Sequence, residues 1–309
     1  MKLAIIGFGY WGEIIFKTLK NSKINFDYLC GVDVDKKRIT KIKSYHIDCF
    51  NNFRKVLDKV DSVIIATGEN SHYQIAKDCL LFKKHVLVAK PLALKFKQAK
   101  KLVEIAKKNN LTLMVDNTFL FDKSFLFLKD KIKKGNIGKI KQIDSFRFSC
   151  NINRPFSNAI IDLLPHDLSI FFTLFGEKLI KIRMVEFTNL LGKQIDKAQV
   201  SLKIGKIKTN SFFSWVAPIN RREMIFYGSK GVFIWQKQDA ENDLILFFKY
   251  KYQKKLELKK EIRVKNKGET LVKVLDHFLR SIKNKKEPLT SGYKVLPEIK
   301  VLENVLKEI

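Results

Sequence analysis

The chain has 309 residues, 46% of them hydrophobic and 12% aromatic, which gives room for two domains with buried cores and excludes a disordered or low-complexity polypeptide. No apolar run approaches the ~20 residues of a membrane span, and Gly7, Gly9 and Gly12 interrupt the apolar start, so a cytoplasmic protein is expected. The formal charge of +29 comes from 60 basic residues, mostly lysine and spread along the whole chain, which predicts a solvated basic surface that helps gather anionic cofactors or substrates. No helix-turn-helix, zinc-finger or aromatic-basic module accompanies it, so specific nucleic-acid binding is not expected. Cys30, Cys49, Cys79 and Cys150 form no Cys-x-x-Cys pair and have no histidine at ligand spacing; they read as reduced, mostly buried thiols, with no metal site.

In chain order, apolar runs at 3–6, 26–34, 62–67, 85–89 and 111–115 read as buried strands. Helical stretches fall between them at 10–21, 72–82 and 96–109; the last carries Ala99, Leu102, Val103 and Ala106 on one face. This alternation predicts an α/β domain over residues 1–118 with a doubly wound parallel sheet. Beyond it the texture changes. A helix is expected at 125–134, then strands at 140–148, 180–187, 198–204, 209–216, 223–227, 244–250 and 256–264. Further helices are expected at 159–175, 270–283 and 297–308. Residues 119–309 thus read as an α+β domain with a largely antiparallel open sheet. One sheet face packs on helices and the other needs cover if it is apolar. Val200, Leu202, Phe212, Ile225 and Phe247 are candidates for that exposed face, their sides left open by the sequence.

Gly7-Phe8-Gly9-Tyr10-Trp11-Gly12 follows a strand and opens a helix inside a βαβ unit. That context makes it a Rossmann dinucleotide fingerprint: Gly7 permits the tight turn, Gly9 the approach of a pyrophosphate, and Gly12 close helix–strand packing. Phe8, Tyr10 and Trp11 lie inside the loop and join the expected cofactor-binding set. Asp33, 21 residues after Gly12, can accept hydrogen bonds from ribose hydroxyls and repel a 2′-phosphate. NAD is therefore expected rather than NADP, with Lys36, Lys37 and Arg38 close by as a counterweight.

Further segments carry a more specific signal. Ala66-Thr67-Gly68-Glu69-Asn70-Ser71-His72 resembles an A-T-P-x-x-x-H loop, and His85 to Leu92 resembles an H-V-x-x-E-K-P-x strand end. Asp162-Leu163-Leu164-Pro165-His166 resembles a D-x-x-x-H segment, and Gly228 to Gly231 and Pro288 to Gly292 resemble two C-terminal turns. In this order they resemble the glucose-fructose oxidoreductase/inositol dehydrogenase/MocA-type oxidoreductases almost end to end. Ala89 and Gly68 depart from the usual Glu and Pro.

The resemblance implies hydride transfer between a nicotinamide and a sugar or cyclitol carbinol. It assigns Lys90 as the cation and proton exchanger, His166 as proton acceptor and Asp162 as its orienting or substrate-binding partner. Thr67, His72 and Lys90 join the cofactor contacts. If the segment is helical, Asp162 and His166 stand at i and i+4 on one face, with Pro165 easy only in a first turn. Asn117 ends a strand, and Arg147, Asn151, Asn153 and Arg154 flank the strand leading to Asp162; they suit a polyhydroxylated substrate or a phosphate.

An NAD-dependent sugar or sugar-nucleotide dehydrogenase in surface-glycan synthesis is the leading expectation. Cyclitol oxidation is the first alternative. A non-catalytic NAD-binding regulator is the second, kept open by Ala89. The resemblance also implies a homodimer or homotetramer formed through the C-terminal sheet.

Overall fold

A four-residue apolar run, Leu3-Ala4-Ile5-Ile6, follows Lys2 and is too short for an independent helix; it forms β1 (Lys2–Ile6), buried from Leu3 onward. In this computed structural model, which describes residues 1–149, 157–178, 180–239, 242–251, 255–265 and 269–309, β1 lies at the centre of a six-stranded parallel sheet. The order is β3-β2-β1-β4-β5-β6, with β2 (Tyr28–Val32), β3 (Asp48–Phe50), β4 (Ser62–Ile65), β5 (His85–Ala89) and β6 (Leu113–Asp116). The crossovers are α1 (Tyr10–Asn21), α2 (Lys36–Ser44), a 3-10 helix at Phe53–Lys59, α3 (Glu69–Leu81) and α4 (Phe96–Lys108). The sequence pattern passes over α2 and β3. Ile42 is the one buried residue of α2, so the helix has almost no apolar stripe; its sign in the sequence is Asp35, whose side chain accepts from the backbone of Lys37 and Arg38.

Two compact units emerge, Met1–Asn117 with Leu271–Lys300, and Thr118–Thr270 with Val301–Ile309. The first unit's opening stretch ends at Asn117, and residues 271–300 belong with it. The reason is hydrogen bonding beside β6. Val115 N donates to Thr290 O (2.9 Å), Gly292 N to Leu113 O (2.8 Å) and Thr290 Oγ1 to Val115 O (2.6 Å). Val295 and Ile299 then join the first core. They follow α7 (Glu269–Lys283), and Ile299 lies in α8 (Leu296–Leu306).

The second unit opens with a 3-10 turn at Thr118–Phe121 and α5 (Lys123–Lys133). Its eight strands are β7 (Ile140–Phe148), β8 (Ile180–Thr188), β9 (Lys197–Ile204), β10 (Ile207–Ser214), β11 (Arg221–Gly228), β12 (Gly231–Lys237), β13 (Asn242–Tyr250) and β14 (Leu256–Lys265), ordered β14-β13-β12-β11-β7-β10-β9-β8. All pairs are antiparallel except β7 with β10. The sequence pattern passes over β12, whose run GVFIWQK lacks clean alternation.

Period-two geometry separates the faces. Val200, Leu202, Phe213, Met224, Phe226, Phe233, Trp235 and Ile245 share the face covered by α5 and by α6 (Ala159–Phe175). Phe247 lies on that face too, opposite Phe233. Phe212 and Ile225 lie on the other, where Phe146 stacks on Phe212 with ring centroids 5.1 Å apart. No helix among the described residues is long and apolar enough to cross a membrane.

Candidate active site

In the first unit the site is made of backbone. Gly7 has φ +90°, and a Cβ there would lie 2.7 Å from Thr67 N. A Cβ on Gly12 would lie 1.9 Å from the Gly7 carbonyl oxygen, so α1 can close on β1 only with glycine at this point. Gly9 is the N-cap of α1 and brings no capping side chain, which leaves the first-turn amides for an anion. These features fit a dinucleotide pyrophosphate.

The remaining loop residues divide. Phe8 is buried against Phe16 (5.5 Å) and Tyr45 (6.3 Å), so what it offers a ligand is backbone. Trp11 Nε1 donates to Asp116 Oδ2 (2.9 Å), whereas Tyr10 is 79% exposed. Asp33 accepts from Phe8 N (2.7 Å), Asp35 N (3.0 Å) and Arg38 Nη1 (3.3 Å). Its carboxylate is therefore held at the end of β2, and Arg38 stands between it and Gly9.

Lys90 follows β5, and its peptide bond to Pro91 is cis. Buried His72 lies between the flanking loops: Nδ1 is 2.7 Å from Pro91 O and Nε2 is 3.0 Å from Thr67 O. Burial lowers its pKa, partly offset by those carbonyls, and a neutral ring donates to only one of them. His72 thus acts on the site by tying the Thr67 loop to the turn after Lys90. Ala89, where the family pattern has Glu, pairs in register with Asp116 of β6. A buried carboxylate therefore stands beside position 89, supplied by the neighbouring strand and fixed by Trp11. Asn117 is turned into the interior, 1% exposed, and its Nδ2 donates to Glu298 Oε2 (3.3 Å). Burial pushes the Glu298 carboxyl up to about 8, with the Asn117 bond opposing it.

In the second unit the site is made of side chains. Asn158 caps α6 by accepting from Ile161 N (2.9 Å), and Pro165 lies inside the helix. Asp162 and His166 are one turn apart, and Trp215 Nε1 donates to Asp162 Oδ2 (3.2 Å). His166 meets the edge of Phe119 at 5.0 Å. Phe119 also lies 6.1 Å from Trp235 and under two cations, Arg147 (4.6 Å) and Lys237 (5.7 Å). Arg147 Nε donates to Asp167 Oδ1 at 2.6 Å, both residues being buried.

Behind this cluster Lys237 Nζ donates to Asp122 Oδ2 (2.8 Å) and Asp243 Oδ1 (3.1 Å). Ser124 Oγ lies between the two carboxyls and accepts from Trp235 Nε1 (2.8 Å). A hydroxyl has one proton to donate. Burial raises the Asp243 pKa past what Lys237 and Ser124 offset; for Asp122 burial also raises it, but Lys237 and Ser124 outweigh that and the net shift is down. With the proton on Asp243, that carboxyl donates to Ser124 and Ser124 donates to Asp122, which satisfies all three groups.

The sequence reading did not include Phe119, Lys237, Trp235 or the Asp122–Ser124–Asp243 group. Cross-strand register brings much of this cluster together, and β12 supplies two of its members. Asn151, Asn153 and Arg154 lie outside the described residues.

Residues 1–117 match the family description "Oxidoreductase family, NAD-binding Rossmann fold", and residues 129–309 match "Oxidoreductase family, C-terminal alpha/beta domain". Myo-inositol 2-dehydrogenase from Thermotoga maritima is 23% identical, over 94% of this chain and 91% of that protein. The structure of UDP-N-acetylglucosamine 3-dehydrogenase from Acidithiobacillus ferrooxidans superposes with TM-score 0.82 at 17% identity, covering 99% of this chain and 96% of that one. KijD10, a 3-ketoreductase from Actinomadura kijaniata solved with NADP and TDP-benzene, gives 0.88 at 15% identity, covering 99% and 97%.

Proposed function

The chain belongs to the glucose-fructose oxidoreductase/inositol dehydrogenase/MocA family of NAD(P)-dependent oxidoreductases, and from that premise we propose that it interconverts a carbinol and a carbonyl on a sugar nucleotide, of the kind used in surface-glycan synthesis, with NAD as its cofactor. The observation that carries the reading is the pairing of Asp162 and His166 on one turn of α6, with Asp162 fixed by Trp215. When bound, the nicotinamide supplies the two-electron acceptor. Lys90 provides positive charge for the alcohol oxygen as it loses its proton, and His166 takes that proton. Asp162 orients His166 or a substrate hydroxyl. The Asp33 carboxylate, held by two backbone amides, supports NAD over NADP; Arg38 opposes it.

Lys90→Ala and His166→Ala are each expected to lower turnover by about 10²–10⁴-fold, with NADH still bound in fluorescence titration. Full turnover in Lys90→Ala would remove Lys90 from the chemistry, whereas NADH binding by a parent protein that turns over no sugar, sugar nucleotide or cyclitol would mean a non-catalytic NAD-binding protein. Tighter binding of NADP than NAD would reverse the cofactor assignment. A substrate screen separates sugar nucleotides from cyclitols, whose oxidation would use the same residues and is supported by the Thermotoga maritima relative.

The sheet face bearing Phe146, Phe212 and Ile225 supports a homo-oligomer, with a second copy covering it. A monomeric mass in solution scattering defeats that assignment. Cys30 and Cys79, buried and free, suit a reducing cytoplasm.

A further inference from the structure

A helix packed through apolar side chains alone is weakly fixed along its axis, because similar residues recur on every turn. α6 presents such a stripe. Ile160, Leu164 and Leu168 are buried four residues apart, with Phe171 on the same side. A slide of one turn, about 5.4 Å, would exchange one aliphatic side chain for the next and carry His166 out of place. Pro165 adds to this freedom, since it has no N–H to donate and removes one backbone bond from the helix just before His166.

Polar contacts fix what the stripe leaves open. Trp215 Nε1 donates to Asp162, four residues before His166. Asp167, the residue after it, is fully buried and accepts from Arg147 Nε of β7. Ser169 Oγ donates to the His166 carbonyl oxygen (2.9 Å). Arg147 also reaches the ring beside the imidazole: its guanidinium carbon lies 4.6 Å from the centroid of Phe119, and Phe119 meets His166 at 5.0 Å. One side chain thus supports both the helical turn that carries His166 and the aromatic ring that packs on it.

The pair of Arg147 and Asp167 is a poor source of stability. Both side chains are removed from water, and well-packed apolar residues in such a place are often as stable or more so. Among the described residues Asp167 Oδ2 is buried with no hydrogen-bond partner, which adds to the cost. A directional bond supplies what an apolar contact would not, a single position for the helix. We propose that Arg147 and Asp167 are positioning residues for His166, fixing α6 and Phe119 so that the imidazole keeps one orientation for proton transfer. The assignment rests on the oxidoreductase reading, in which His166 is the proton acceptor, and it gives Arg147 a role that runs through His166.

The test replaces the pair by apolar residues, Arg147→Met together with Asp167→Leu, in the full-length protein. No charge is left buried alone, so the double variant should melt close to the parent or above it and should still bind NADH. Its kcat should nonetheless fall by about 10–100-fold, with KM little changed. Asp167→Asn can still accept from Arg147 Nε and should keep part of what the double variant loses. In a His166→Ala background the same double change should lower kcat no further. The second readout is the His166 Cε1–H resonance, identified among five histidines by its loss in His166→Ala. It should shift or broaden in the double variant. Parent-level kcat in the double variant overturns the inference, as does a full loss of kcat in the His166→Ala background, a change confined to KM, or an unmoved His166 resonance. A double variant that melts well below the parent overturns it too, because the pair is then needed for the fold itself. Failure of the oxidoreductase reading looks different: the parent turns over no sugar, sugar nucleotide or cyclitol, and the His166 resonance alone then decides whether the pair positions the imidazole.

Discussion

The two units build their sites from different materials. In the first, the working groups are largely backbone: glycines that leave room, helix amides, and the carbonyls of Thr67 and Pro91 that face His72. In the second they are side chains gathered around Phe119 from β7, β12 and α6. A backbone site tolerates almost any neighbouring composition but no misplaced Cβ. A side-chain site tolerates local backbone change but depends on register, since a slip of one residue sends Arg147 and Lys237 to the opposite face.

Substitutions that strike one site and spare the other test this contrast. The largest effect is expected from Lys237→Met. It leaves the Asp122 carboxylate buried without its cation and should cost about 3–5 kcal/mol of stability. Denaturant titration reads that loss, and NADH affinity should stay at the parent value in whatever protein remains folded.

Glu298→Gln should act in the opposite direction and depend on pH. The carboxyl has a folded pKa of about 8 against an ordinary 4.5, so it binds its proton more tightly in the folded chain. Stability therefore falls as pH rises from 4.5 toward 8, and the loss is complete above that. The variant should match the parent near pH 5 and exceed it by roughly 3–4 kcal/mol near pH 8.5. Equal melting temperatures at both pH values would show that Glu298 ionises normally.

Gly12→Ala should weaken NADH binding by about 1–3 kcal/mol, because its Cβ meets the Gly7 carbonyl. Asp116→Asn is expected to be the mildest. It keeps an oxygen for Trp11 Nε1, so unfolding free energy should shift by about 1 kcal/mol. A larger drop, with a displaced pH profile of turnover, would show that Asp116 governs Lys90.

The sequence was most informative where spacing fixes structure. The Gly7–Gly12 loop, Asp33, and the Asp162–His166 pair lie at separations that a tight turn, a strand end and one helical turn dictate. It was least informative where the fold pairs distant strands. Lys237 and Arg147 are far apart in the chain, and Trp235 sits in a strand without clear alternation. Asn117 ends a strand, which suggested a substrate contact, yet the side chain is buried and its Nδ2 donates to Glu298, 181 residues away.

The amino-acid sequence by itself determined the doubly wound first sheet, the nucleotide loop and the family. Each of these rests on local periodicity or on fixed short separations, which survive in one dimension. Tertiary structure alone decided that Asp116 stands beside Ala89 and that residues 271–300 return to the first sheet. Those outcomes depend on strand order and register, which are set by which faces the chain as a whole can bury.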